Sequence, residues 1–506
     1  MSWTDEQRAP GTPAQDAADQ RETPYLEALG DYAARDAGRF HVPGHKGGIG
    51  GPAVLAGRIG EALELDVPSA TPGIDVGEHP TPLEEAERLA AEAWGAARTW
   101  FLVNGASEGS HAACLAVAQV AERMVVQRNA HSSTMHALVL AGSRPTFVAP
   151  EIDHELGIAQ CITVEALDRA FRETPGVGAA IVVSPTYFGA AADVRALAEL
   201  SHAHGAPLIV DEAWGAHFRF HEDLPEDALS AGADLVISGT HKLLGSLTQS
   251  AMLHMGRTAV EWLDEHALER ALGLVRSTSP SSLLLGSLDA ARRHATVDGH
   301  ELLEEALEQM PLVRAAIGAL PGLDVLDERL VGRRGVHAHD PFRLAIDLRG
   351  TGVHGHVLAG ELRRRVDINL ELVADAVVVA HFGLGEPVDH QGARLVDGLA
   401  EVLRRPLAPS TGSRGPRLAE SPPPSGPLVL SPREAFFARH EELSLERAEG
   451  RISADSLVLY PPGIANVLPG ERITGANIEH LLTMTRRGCV LRGTSGGSLE
   501  RVRVVR

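Results

Sequence analysis

Between residues 99 and 255 the chain alternates short β-rich runs with helical stretches, and this alternation constrains the fold more than any other feature. The runs are TWFLV, RMVVQ, AAIVVS, PLIVD and DLVIS, each followed by a polar or glycine-containing turn. Strand, crossover helix and strand in repeated succession predict an α/β fold, a mostly parallel sheet with helices on both faces. In such sheets a ligand sits outside the carboxyl ends of the strands, where the loops begin. The turns that follow these runs are Asn104-Gly105-Ala106-Ser107, Arg128-Asn129-Ala130-His131, Ser184-Pro185-Thr186-Tyr187, Asp211-Glu212-Ala213-Trp214 and Gly239-Thr240-His241-Lys242. They are expected to meet at one edge of one sheet.

The rest of the chain divides around this block. Residues 1–24 read as a disordered lead with little to bury. Residues 25–330 read as an N-terminal arm and the large domain, and 331–405 as a smaller α+β domain with strands in FRLAIDL and DAVVVAHFG. Residues 406–428 form a Pro/Ser/Gly linker and 429–506 a C-terminal domain, in which Tyr460-Pro461-Pro462-Gly463 is expected to be architectural. Thr81, Pro82 and Glu84, ahead of Leu83, Ala86, Ala90 and Trp94, predict a helix opened by a capping box.

Composition narrows the partners. A formal charge of −21 supplies no basic face in bulk, which argues against nucleic acid or an anionic membrane. The N-terminus lacks the pattern of an export signal and no run of about 20 apolar residues occurs, so a cytoplasmic setting is expected. Cys114, Cys161 and Cys489 form no CxxC pair, and neither a disulfide framework nor a metal site is expected.

Lysine is scarce. Of 46 basic residues only Lys46 and Lys242 are lysine, and both follow a histidine, in PGHKGG and GTHKLLGS. Where arginine replaces lysine almost everywhere, a surviving lysine marks a place where a primary amine is needed. Such an amine can form an imine. His45 and Lys46 are expected either to line the entrance to a site or to shape a glycine-rich turn.

The sheet edge supplies what a pyridoxal 5'-phosphate (PLP) site requires. Lys242 is the candidate imine former, and Asp211, ending PLIVD, the candidate partner of a pyridinium nitrogen. Ala106 and Ser107 open a helix and can offer N–H groups and a hydroxyl to a phosphate. His131 can lie against the ring, and His131 or Lys242 can return a proton to Cα.

These residues also carry a resemblance. HVPGHKGG, NGASEGSHAACLA, RNAHSSTMHALVLAG, PTYFG, VDEAWGAHF, SGTHKLL, STSPSSLLLGSLDAAR and YPPGIANVLPGE resemble, in this order, the Orn/Lys/Arg decarboxylases of PLP fold type I, from about residue 22 to 480. The resemblance implies PLP on Lys242, His241 at the phosphate region, Asp211 in the family's D-x-A motif, Ala213 beneath the ring and His131 stacked on it. It matches Ala106 and Ser107 to the phosphate turn, and places Trp214 where many short members carry His. It also implies that Ser277 and Thr278 reach the cofactor phosphate of a neighbouring subunit, making a homodimer the smallest active unit. For the distal cation of the substrate it points first to Glu471, with Asp75 and Glu78 as alternatives. One departure is Gly239, where the family usually has serine; Ser238 or Thr240 is expected to supply the missing hydroxyl. A second is the lack of the N-terminal receiver-like domain of the long members.

The expected reaction is decarboxylation of arginine, lysine or ornithine to the amine and CO2, feeding polyamine metabolism, with the short form favouring arginine. The same residues admit two alternatives: an aminotransferase or β-eliminating lyase of the same fold, and, motivated by Gly239, a decarboxylase-like regulatory protein without activity.

Overall fold

The computed structural model describes residues 20–35, 37–405, 407, 425–460, 464–486, 490–493 and 501–506. The centre of the large domain is a seven-stranded sheet. Its strands are β1 (Arg98–Leu102), β2 (Arg123–Gln127), β3 (Arg144–Val148), β4 (Val177–Val183), β5 (Leu208–Asp211), β6 (Leu235–Ser238) and β7 (Ala251–Met255). They lie in the order β1-β7-β6-β5-β4-β2-β3. From β3 to β6 the neighbours are parallel, whereas β7 runs antiparallel to both β6 and β1.

All five expected runs are strands, and β3 and β7 are additional. β5 sits mid-sheet, and Leu208, Ile209 and Val210 are all fully buried, because crossover helices cover both faces. The helix α1 (Pro82–Trp94) opens with the expected capping box, Thr81 accepting from Glu84 N–H and the Glu84 carboxylate from Thr81 N–H. It closes on Gly95 in the left-handed conformation, and its Trp94 is buried against Phe220 and His254.

The N-terminal arm is tied to the helix α2 (Ser282–Val297), where Asp289 accepts from Tyr25 N–H and Arg292 donates to the Gln20 carbonyl at 2.7 Å. Gln20 to Pro24, placed in the disordered lead by composition, are therefore held in part; residues 1–19 lie outside the described residues.

The small domain is an antiparallel sheet of β8 (Asp324–Leu326), β9 (Arg343–Asp347), β10 (Leu372–Val373) and β11 (Val377–His381), in the order β8-β9-β11-β10. β8 precedes the expected start of this domain at 331, yet pairs with β9 along its whole length. Behind the sheet, helices Gly299–Gly318, Gly355–Val366 and Val388–Leu403 close a core built on Leu344, Ile346, Leu358, Leu362 and Leu399.

The C-terminal domain has its own core around Leu445, Leu457, Leu459, Ile473 and Leu481. Most of the expected linker lies outside the described residues. Its end does not, since the Pro427 carbonyl accepts from Arg472 N–H at 3.0 Å and so belongs to the C-terminal domain. Pro461–Gly463 and Cys489 also lie outside, while Cys114 and Cys161 are buried free thiols. No helix among the described residues is long and apolar enough to cross a membrane.

Candidate active site

The register of the sheet brings the sequence clusters together. Asp211, the last residue of β5, lies opposite Val183 on one side and Ile237 on the other. One step beyond β6, the helical turn Thr240–Leu243 carries Lys242 at the same carboxyl edge. The helix Gly105–Val117 starts at that edge after β1, with Ala106 and Ser107 in its first turn. His131 caps the helix Ser132–Ala141 after β2, its Nδ1 accepting from Ser133 N–H at 3.2 Å. Each position follows from the rule that a parallel sheet delivers its loops to one rim.

Charge links the three central residues. Burial lowers the Lys242 amine to about 8, although Asp211 and Glu371 attract its proton and Arg343 repels it. His131 is open to solvent on one side, yet desolvation holds its imidazole below the usual range; Asp211 raises it and Lys242 lowers it. Asp211 is buried at the strand end, with Oδ1 accepting from Ala213 N–H at 3.2 Å.

The hydroxyls of Ser238 and Thr240 are fully buried and have no hydrogen-bond partner. A buried polar atom without a partner costs roughly 1–3 kcal/mol, and two side by side mark a place arranged for a polar group. Gly239 between them has an ordinary backbone conformation, so glycine is here for space: a Cβ would run into the Ala213 carbonyl oxygen and lie 3.2 Å from Lys242 Cδ. His241 Nδ1 stands 2.7 Å from the Ser250 carbonyl, which only accepts, so that nitrogen carries the hydrogen.

Trp214, expected at the site from its place in the turn after β5, is a hub whose contacts the sequence did not reveal. Lys242 Nζ lies 4.1 Å from its ring centroid, and the Arg343 guanidinium carbon 3.4 Å from it. Tyr187 and His381 meet the indole edge-on at 6.0 and 5.6 Å. Arg343 is 0% exposed and none of its three guanidinium nitrogens has a partner. It begins β9, opposite His381 of β11, so the small domain reaches into the edge of the large one. Nothing in the local sequence around Arg343 signals this; only the docking of the two sheets does.

The carboxylates expected to meet the substrate are placed differently. Glu471 is 2% exposed and its oxygens accept from Arg128 at 2.7 and 2.8 Å and from Leu468 N–H at 2.8 Å. Arg128 also donates to the carbonyls of Ala465 and Asn466. Glu471, expected to meet the substrate, thus already has a counter-ion. Its charge is spent on fastening the C-terminal domain to the loop that leads to His131, because a buried carboxylate needs its own counter-ion. Asp75 is half-buried and interacts with the Tyr25 hydroxyl, and burial raises its carboxyl above the usual range. Glu78 is exposed.

Ser277 and Thr278 lie exposed on the loop before α2, with Ser69 donating to the Thr278 carbonyl at 3.2 Å. Lys46 donates to the His41 carbonyl and His45 pairs with Asp66 at 2.9 Å.

These residues fit PLP. An amine, a buried carboxylate, an imidazole, a helix N-terminus and two unpartnered hydroxyls share one rim.

Comparison with known proteins agrees. The family described as Orn/Lys/Arg decarboxylase, major domain, matches residues 23–334, and its C-terminal domain matches residues 427–489. An arginine decarboxylase of Bacillus subtilis is 36% identical over 96% of this chain and 98% of its own length. One of Halalkalibacterium halodurans is 34% identical, with the same coverage. Among solved structures, the Francisella novicida lysine decarboxylase LdcF superposes with a TM-score of 0.81 at 20% identity, over 96% of this chain and 82% of its own. That likeness carries the fold. With two of its domains matched and its near full-length relatives above 30% identity, the chain belongs to the Orn/Lys/Arg decarboxylase family.

Proposed function

We propose that this decarboxylase acts on L-arginine with PLP, releasing CO2 and the corresponding amine, agmatine, for polyamine metabolism. The observation that carries the reading is the convergence of Lys242, Asp211 and His131 on one sheet edge beside the unpartnered Ser238 and Thr240 hydroxyls. The choice of arginine is supported by the relatives, which are named arginine decarboxylases.

In this reading Lys242 would hold the cofactor through its aldehyde, and Asp211 would serve as the acidic partner of its ring nitrogen. The first-turn N–H groups at Ala106 and Ser107, with the Ser238 and Thr240 hydroxyls and His241, take the phosphate. Ala213 and Trp214 support one side of the site and His131 the other. When bound, PLP supplies an electron-poor ring that accepts the pair left by the breaking bond between Cα and the carboxylate. The negative charge of Asp211 keeps that ring electron-poor. The weakly basic His131 and the Lys242 amine, both below their ordinary ranges, are the groups that hand a proton to Cα once CO2 has left. With Glu471 engaged by Arg128, Asp75 and Glu78 are the acids offered to the distal guanidinium. Ser277 and Thr278, exposed on their own chain, face a second copy of the protein in a homodimer.

The test is incubation with arginine, lysine and ornithine in turn, with CO2, amine and keto acid measured in each. Agmatine and CO2 in equal amounts from arginine, faster than from the others, is expected. Keto acid as the main product would overturn the reading. Borohydride reduction followed by peptide mapping should fix the cofactor to Lys242; label elsewhere would refute the assignment.

A further inference from the structure

We propose that Arg343 is a positioning residue that primes Lys242: carried by the small domain onto the indole that also faces the lysine amine, its fixed charge repels a proton from that amine, so one domain sets the reactivity of a group held by the other. The inference rests on reading Lys242 as the reacting amine, and it names a residue that reading does not use.

The geometry is specific. The guanidinium carbon and the lysine nitrogen lie within 3.4 and 4.1 Å of the same ring centroid. An indole attracts a cation to its face, so each group is separately held there, while like charges at such range repel. Arg343 makes no hydrogen bond to an anion: its three nitrogens are unpartnered and it is fully buried, with Asp340 and Glu371 attracting its charge from farther off. Its charge is thus tempered by two carboxylates but not cancelled by one in contact with it. Asp340, the nearest acid in sequence, is instead bound to His217 at 3.2 Å and to Phe342 N–H at 2.9 Å.

The groups that face Lys242 come from three directions. Asp211 of β5 and Glu371 ahead of β10 favour its charged form, Glu371 being paired with His381 at 3.8 Å. His131 senses the charges of both Asp211 and Lys242. Against two carboxylates, Arg343 is the cation that opposes protonation, and burial works in the same direction. Burial lowers the Arg343 guanidinium itself to about 10, so at neutral pH it keeps its charge. A neutral amine is the form that attacks an aldehyde carbon.

The scarcity of lysine makes the test clean. In the full chain freed of PLP, trace acetylation with acetic anhydride across pH 6–10, followed by peptide mapping, reads Lys242 against Lys46 as internal standard. In the wild-type chain the Lys242 rate should reach half its plateau near pH 8. Arg343→Met, which keeps the site filled and dry but removes the charge, should move that midpoint up by on the order of one pH unit, an approximately tenfold slower reaction at pH 7. Arg343→Lys, which restores a charge, should return the midpoint to within about half a unit of wild type. Circular dichroism of each variant establishes that it is folded. A folded Arg343→Met chain with an unmoved midpoint overturns the proposal. Equal upward shifts in both variants also overturn it, since packing rather than charge would then be responsible. Neither result depends on whether PLP is reduced onto Lys242, so failure here is distinct from failure of the cofactor assignment.

Discussion

Replacing Lys242 with methionine is expected to stabilise the cofactor-free protein while removing its chemistry. The amine lies near 8 in the folded chain against 10.5 when free, so holding it charged indoors is costly. A difference of about 2.5 units at about 1.4 kcal/mol each amounts to roughly 3 kcal/mol. That figure already contains every attraction favouring the charged form, so methionine, which fills the space of the lysine stem, should gain roughly 3 kcal/mol. The sign follows from proton binding. Above pH 10.5 the amine is neutral in both states and carries no penalty. Between 10.5 and 8 the unfolded chain takes up the proton and the folded chain does not, so wild-type stability declines as pH falls. Below 8 both states are protonated and the loss is complete. Denaturant midpoints of wild type and Lys242→Met, both freed of PLP, should therefore differ at pH 7 and draw together toward pH 10. A variant that is no more stable at pH 7, or a gap that does not change with pH, would refute the reasoning.

Arg128→Met should cost about 3–5 kcal/mol, because it leaves the Glu471 carboxylate buried without its counter-ion; adding Glu471→Met should recover much of that, as read in a double-mutant cycle of denaturation midpoints. Asp211→Asn should retain the fold but slow amine production from arginine by roughly 10²–10³-fold, measured as initial rates at saturating PLP. Thr81→Ala removes one half of a capping box and should lower stability by about 1 kcal/mol with no change in kcat.

What could be read from the sequence was whatever a short stretch of chain decides by itself. The runs ending at Asp211 and Ser238 are β-branched and apolar, and turn residues follow them, so strands and rim loops were legible together. Thr81, Pro82 and Glu84 specify a helix start within four residues. β3 contains Arg144 and Pro145, and β7 contains His254, whose ring is buried by bonding to Thr99; neither looks like a core strand until its neighbours are known. The antiparallel direction of β7 is likewise a property of the sheet and not of its residues. The site divides in the same manner. Lys242, Asp211 and His131 announce themselves locally, whereas Arg343 reaches Trp214 only because two domains dock. The partner of Glu471 was hidden for the same reason: an acid after Pro-Gly looks unpaired until Arg128 is found opposite it.

The contact between position 239 and the Ala213 carbonyl has a consequence for how this lineage can change. A serine side chain cannot be seated at 239 by one substitution alone, because the backbone turn after Asp211 occupies its space. The two loops are interlocked: a side chain at 239 requires the turn carrying Ala213 and Trp214 to withdraw, and it would also crowd the Lys242 stem. Variation at these places should accordingly occur in concert across related sequences, so that position 239 reports the posture of a loop that precedes it by some 25 residues.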